Sequence, residues 1–293
     1  MKSLAIFAVL LLSNISATPT PAPIPVVLWH GMGDNANGPG MNRVKQLIEN
    51  EIPGTYVKSL MIGGNIITDT INGFLMHPTD QVEYACNLIQ SDPNLAQGYY
   101  GIGFSQGSQF IRALGQRCST PKMKGLISIG GQQQGVYGIP FCNPDFLEFC
   151  GAIRPIVTHF AYESFQFLVQ ATYWHDALNS TDYAHRNTFM ADINNELHIN
   201  QTYVDNLQAL EKFVMVKFEQ DGMVIPIESQ WFGFYKPGQG TVTESLQESK
   251  VYTRLGLDKL GSEGKLHFLS CPGLHLQFTP EWFVEHIIKA HLK

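Results

Sequence analysis

The chain has 293 residues, 44% of them hydrophobic and 15% charged, with a formal net charge of −6. That length and apolar content suit one large domain with a substantial buried core. The acidic balance, with no basic stripe, argues against nucleic acid as a partner, because neutralising phosphates needs clustered Lys and Arg.

In chain order, Met1-Lys2, the apolar run Leu4 to Leu12 and Ser16-Ala17 predict a secretory signal peptide over 1–17. Its apolar core is too short for a transmembrane helix, and no later run has spanning length, so no transmembrane anchor is expected. A proline-rich leader enters a strand at 24–29, and the loop His30-Gly31-Met32-Gly33-Asp34 follows it. Helix 41–50, strand 55–62, helix 80–90, strand 99–104, helix 106–117 and strand 125–130 come next. This alternation predicts an α/β fold with a mostly parallel sheet and helices on both faces. It breaks near Gly138, and aromatic-rich, amphipathic runs without a clear strand continue to about Leu210. Strands resume at 213–218 and 265–269. The expected organisation is a core over 24–139 and 213–293, with a largely helical insertion over 140–212 that builds the substrate-binding region.

Gly103-Phe104-Ser105-Gln106-Gly107 joins the third strand to a helix. A serine in a sharp strand-to-helix turn presents its hydroxyl as a nucleophile, and the flanking glycines avoid Cβ clashes there. That is the nucleophile elbow of α/β-hydrolases. The hydroxyl needs a histidine as general base and an acid to orient it, arriving in the order Ser, Asp or Glu, His, each just after a strand. Asp221-Gly222 follows the strand 213–218, and His275 follows 265–269. Asp192 lies in the insertion and Glu228 lies past Pro226, so Asp221 is the better acid. His267 sits inside a strand, and His286 and His291 are expected on the solvent face of a C-terminal helix. The predicted triad is Ser105, His275 and Asp221. Two backbone N–H groups should stabilise an oxyanion, one from Gln106 and one from the His-Gly loop at Met32.

Five cysteines agree with an oxidising compartment. Cys142 and Cys150 are close in sequence, Cys86 and Cys118 lie in or beside helical runs, and Cys271 is left over. Asn179-Ser180-Thr181 and Asn200-Gln201-Thr202 are glycosylation sequons.

Trp29-His30-Gly31-Met32-Gly33-Asp34, Gly103 to Gly107, Ile129-Gly130-Gly131-Gln132, Tyr173-Trp174-His175-Asp176 and Trp231-Phe232-Gly233-Phe234-Tyr235 together resemble the palmitoyl-protein thioesterase 1 family from about Pro25 to Ile288. The resemblance implies an α/β-hydrolase that removes long-chain acyl groups from protein cysteines during lysosomal degradation, with its triad on Ser105, Asp221 and His275. It implies disulfides Cys86–Cys118 and Cys142–Cys150, a glycan at Asn200, and acyl-groove residues Trp174, Met223 and Val224. The chain departs from some relatives at Asn35-Ala36, where they carry adjacent cysteines, and at Gln220, where a sequon is lost.

The expected substrates are S-palmitoylated proteins or peptides and long-chain acyl thioesters, with no cofactor and no metal. Delivery would run through the secretory pathway to the lysosome, using a glycan-reading sorting receptor, with secretion as the other destination. An acyl-CoA thioesterase or lipid esterase would use the same triad, because fold does not set substrate. A non-catalytic acyl carrier is the remaining reading, and an intact triad argues against it.

Overall fold

The computed structural model describes residues 22–140, 147–165 and 167–293, with the backbone alone for 147–153. The signal segment 1–17 and Cys142 lie outside the described residues, as does the Cys150 side chain.

Strands β1 (Val26–Trp29), β2 (Val57–Ser59), β3 (Tyr99–Phe104), β4 (Met123–Ile129) and β5 (Lys212–Phe218) belong to the central sheet. A short antiparallel pair, β6 (Phe234–Tyr235) and β7 (Thr243–Glu244), precedes its last strand, β8 (Leu266–Cys271). The sheet order is β2-β1-β3-β4-β5-β8, with every neighbouring pair parallel. Helices α1 (Pro39–Glu51), α2 (Ile66–Leu75), α3 (Pro78–Gln90) and α4 (Gln106–Arg117) connect the first four strands. Between β4 and β5 come α5 (Leu147–Glu163), α6 (Ser180–Arg186), α7 (Met190–Ile193) and α8 (Gln201–Gln208).

The strands read as unbroken apolar runs because both faces of the sheet are covered. Val27 and Trp29 pack with Phe110 and Ile111 of α4 on one face. Their neighbours Val26 and Leu28 pack with Met41, Val44 and Ile48 of α1 on the other. The same alternation splits β5, with Phe213 and Met215 in the first core and Val214, Val216 and Phe218 in the second. Strand order reverses between β1 and β3, and in parallel α/β sheets the carboxyl ends at such a point form the binding crevice.

Helix α2 is absent from the sequence reading, which passes from the strand at 55–62 to the helix at 80–90. Its inward face is Asp69 and Gly73, while Ile66, Ile67, Ile71, Phe74 and Leu75 are exposed. The apolar periodicity is therefore inverted with respect to an ordinary surface helix. Its start is set by a capping box, with Asn65 Oδ1 accepting from Thr68 N and Thr68 Oγ1 accepting from Asn65 N.

His291 corrects a second expectation. It is buried, not solvent-facing, because the C-terminal helix packs this side against β5 and β8. Burial, helped by His267 and Lys212, pushes its pKa down to about 4.

The insertion is tied to the core by Arg112, buried on α4, which donates to the carbonyls of Ile193 and Gln133 and to Asn194 Oδ1. Cys86 and Cys118 form a disulfide with S–S 2.03 Å between α3 and the end of α4, and Cys271 is a buried free thiol. Asn179 and Asn200 are exposed N-caps of α6 and α8, each accepting through Oδ1 and so leaving Nδ2 for a glycan. Among the described residues no helix is long and apolar enough to cross a membrane.

Candidate active site

Ser105 stands directly after β3 with φ 50° and ψ −122°, a left-handed backbone that a residue with a Cβ adopts only under constraint. Its N–H donates to Ile129 O at 2.8 Å. The glycines beside it are demanded by closeness. A Cβ on Gly107 would lie 2.3 Å from His30 O, and one on Gly103 would lie 2.4 Å from Ser108 Cα. The His30-Gly31 loop therefore rests directly on the elbow.

Three strand ends converge here. Ser105 follows β3, Asp221 follows β5 and His275 follows β8, all at the carboxyl edge of the sheet. His275 Nε2 is 2.8 Å from Ser105 Oγ, and its Nδ1 is 2.5 Å from Asp221 Oδ2. Asp221 Oδ1 accepts the N–H groups of Met223 and Val224 at 2.7 and 3.0 Å, so the carboxylate is aimed before it meets the ring. With Nδ1–H donated to Asp221, the neutral ring offers the Nε2 lone pair to the serine proton. This arrangement can deprotonate Ser105 during attack on an acyl carbon and return the proton to a leaving group. The competing acid Asp192 is bound elsewhere, to Arg117 and Tyr203.

Gln106 is the first residue of α4, where backbone N–H groups lack intrahelical acceptors. Met32 lies in the loop after β1 and, with Ser105, lines the cavities described below. The side chain of Gln106 has a part that sequence reasoning missed. Its Nε2 donates to Gly73 O of α2 at 2.8 Å, while its Oε1 accepts from Gln170 Nε2 and Tyr173 OH at 3.1 and 3.2 Å. One glutamine thus joins the elbow to α2 and to the insertion.

A buried pair, also missed in the sequence, holds the His-Gly loop. His30 Nε2 donates to Asp69 Oδ1 at 3.1 Å and His30 Nδ1 donates to Gly31 O at 2.9 Å. Asp69 also accepts from Ala36 N and Ile62 N at 2.8 and 2.7 Å. Because both ring nitrogens face acceptors, the imidazolium form fits the site. Burial is the strongest influence on His30 and favours the neutral ring, but the hydrogen bond and charge of Asp69 outweigh it and raise the pKa. Burial likewise pushes the Asp69 carboxyl up, and its His30 partner and the two N–H donors bring it below the ordinary range.

The signs of these shifts give the pH window. The stabilisation carried by His30 is fully present below its ordinary value of 6.5 and is lost as pH rises through the raised value. That carried by Asp69 is present above 3.8 and is lost as pH falls through the lowered value. The pair therefore contributes fully between these limits, in mildly acidic solution. Asp69→Asn should destabilise the fold by about 3–5 kcal/mol near pH 5.5, the usual effect of breaking a buried pair, and by less at pH 8. Denaturant unfolding at both pH values checks this; an equal loss at pH 5.5 and pH 8 would contradict the paired charge.

An apolar cavity of about 380 Å³ opens at Ser105. Trp174, Met223 and Val224 all line it, together with Val157, Phe160 and Leu168 of the insertion. The Trp174 indole is fixed by a hydrogen bond from Nε1 to Thr158 Oγ1 at 2.9 Å and by packing on Tyr137, with ring centroids 5.3 Å apart. Next to it, His175 is sandwiched between Tyr183 and Phe234 and donates from Nδ1 to Gln134 O. Burial lowers its pKa to about 3, so this ring stays neutral and structural.

The family model for palmitoyl protein thioesterase matches residues 25–275. Palmitoyl-protein thioesterase 1 of Caenorhabditis elegans is 46% identical over 273 residues, covering 92% of this chain and 91% of that protein. Palmitoyl-protein thioesterase 3 of Dictyostelium discoideum is 34% identical over 280 residues, covering 94% and 91%. The human lysosomal thioesterase PPT2 is 28% identical over 267 residues, covering 87% and 82%. With a family match across most of its length and its described strand ends gathered at one serine, the chain belongs to the palmitoyl-protein thioesterase family of hydrolases.

Proposed function

We propose that this enzyme removes long-chain acyl groups, palmitoyl foremost, from the cysteines of S-acylated proteins and peptides through a Ser105 acyl-enzyme. The observation that carries the reading is that the hydroxyl bonded to His275 also lines an apolar cavity of about 380 Å³. As Oγ attacks the thioester carbon, His275 Nε2 takes the serine proton and Asp221 steadies the ring through Nδ1–H. The N–H groups of Met32 and Gln106 receive the negative oxygen. His275 then gives its proton to sulfur as the C–S bond breaks, and a water molecule releases the fatty acid by the same path in reverse. Trp174, Met223 and Val224 hold the acyl chain.

Lysosomal delivery is part of the proposal. The N-terminal apolar run, the Cys86–Cys118 disulfide, the exposed sequons at Asn179 and Asn200, and the lysosomal name of the human relative support it. A glycan-reading receptor would sort the protein, and secretion would be its overflow.

Matched esters of one peptide test the chemistry. A thiol leaves with a conjugate-acid pKa near 8.5, so its expulsion needs far less help from the imidazolium than that of an alkoxide. S-Palmitoyl cysteine peptide should be cleaved at least about tenfold faster than its O-palmitoyl serine counterpart. Faster cleavage of the oxygen ester would move the enzyme to the lipid esterase reading.

A further inference from the structure

Ser105 lies between two cavities. Met32, Ser105 and Met223 line both, so these residues mark where the two meet. The second, of about 250 Å³, is formed by Met41 and Val44 of α1, by Phe104, and by Leu276 and Phe278 beside His275. His275 lines this cavity and not the first. In acyl transfer the proton on Nε2 must reach the departing sulfur as the carbon–sulfur bond breaks, so the thiol and what it is attached to belong on the side where His275 is open.

The two cavities differ in charge as well. Among the described residues no charged side chain lines the first. Asp34 lines the second, and among the described residues neither Lys nor Arg does. Its Oδ1 accepts Asn35 N–H at 2.8 Å, which orients the carboxylate. Phe278, which also lines this cavity, stacks on Phe104 and Phe218 at 6.3 and 6.5 Å.

We infer that this second cavity receives the residue next to the acylated cysteine, taking an apolar or cationic side chain and rejecting an acidic one, with Asp34 as the specificity-determining residue. The inference rests on the thioesterase reading. An apolar stem gains burial against Met41, Val44 and Phe278, and a positive tip gains the Asp34 carboxylate. A carboxylate or phosphate entering the same space meets Asp34, and among the described residues no Lys or Arg lines the cavity to offset it.

Three S-palmitoyl peptides that differ only in Lys, Leu or Asp next to the cysteine, assayed with the full chain, test this. The Lys and Leu peptides should exceed the Asp peptide at least about tenfold in kcat/KM. The Lys-to-Asp ratio should fall several-fold between about 20 mM and about 500 mM salt. Asp34→Asn should bring that ratio to within about twofold of unity, and Asp34→Lys should invert it. Equal rates on the three peptides, or a preference that salt and both variants leave unchanged, would overturn the inference. The S-palmitoyl ester of mercaptoethanol separates the two levels: its cleavage by the wild type keeps the thioesterase reading even where the peptide preference fails. If the wild type cleaves no palmitoyl thioester, that reading falls with the inference.

Discussion

Replacing Ser105 with alanine should lower kcat on an S-palmitoyl peptide by about 10⁴- to 10⁶-fold, with an unchanged fold. The side chain makes one hydrogen bond to His275 and, in the proposed reaction, supplies the attacking oxygen. The strained backbone at φ 50° is imposed by the contacts around Gly103 and Gly107, which alanine keeps. Asp221→Asn should cost about 10⁴-fold, since an amide that still accepts from Met223 and Val224 presents its NH₂ to His275 Nδ1 and favours the wrong tautomer. The double variant should be little worse than Ser105→Ala alone, because the three side chains act as one unit. Single-turnover assays, with a fluorophosphonate probe reporting on Ser105, give the comparison. Near-wild-type turnover by Ser105→Ala would reject the assignment.

The second large effect concerns acyl length. Each methylene moved from water into an apolar cavity is worth roughly 0.8 kcal/mol, or about fourfold in kcat/KM before ordering costs reduce it. Rates should therefore climb steeply from butyryl toward palmitoyl thioesters and level off once the cavity beside Ser105 is full. Ala171 lines that cavity, and Ala171→Trp should occupy space the chain needs. The expected result is a shift of the preferred chain by several carbons, read as a fall of at least about tenfold in the palmitoyl-to-butyryl ratio. A ratio near one in the wild type would contradict the groove, and a ratio unmoved by Ala171→Trp would put the chain elsewhere.

Much of the fold was legible because its signals are local. The parallel strands β1, β3, β4 and β5 are short apolar runs bounded by turn residues, and both faces of the sheet hide them, so their pattern survives any tertiary context. The elbow was legible because the Gly-x-Ser-x-Gly spacing is itself a local pattern; Gly103 is required by atoms of Gly107 and Ser108, whereas what requires Gly107 is Trp29 and His30, distant in the chain. Helix α2 was not legible, because its inward side is a carboxylate and a glycine while its isoleucines face out. Nor was the burial of His291, which depends on a partner strand distant in the chain.

By itself, then, the sequence determined the strand-and-helix order, the serine at the strand-to-helix turn and the post-strand positions of Asp221 and His275, since each depends on neighbours along the chain. Only the tertiary structure decided what these residues meet. The 2.8 and 2.5 Å contacts of His275 join residues from three strand ends, and no local pattern encodes that distance. The same holds for Asp69, which looks like one more surface aspartate until packing buries it against His30. It holds also for the two cavities on either side of Ser105, because an enclosed volume belongs to several elements at once. Their difference in charge comes from Asp34, whose loop folds back against α1 and so sets its carboxylate beside the apolar wall on the His275 side.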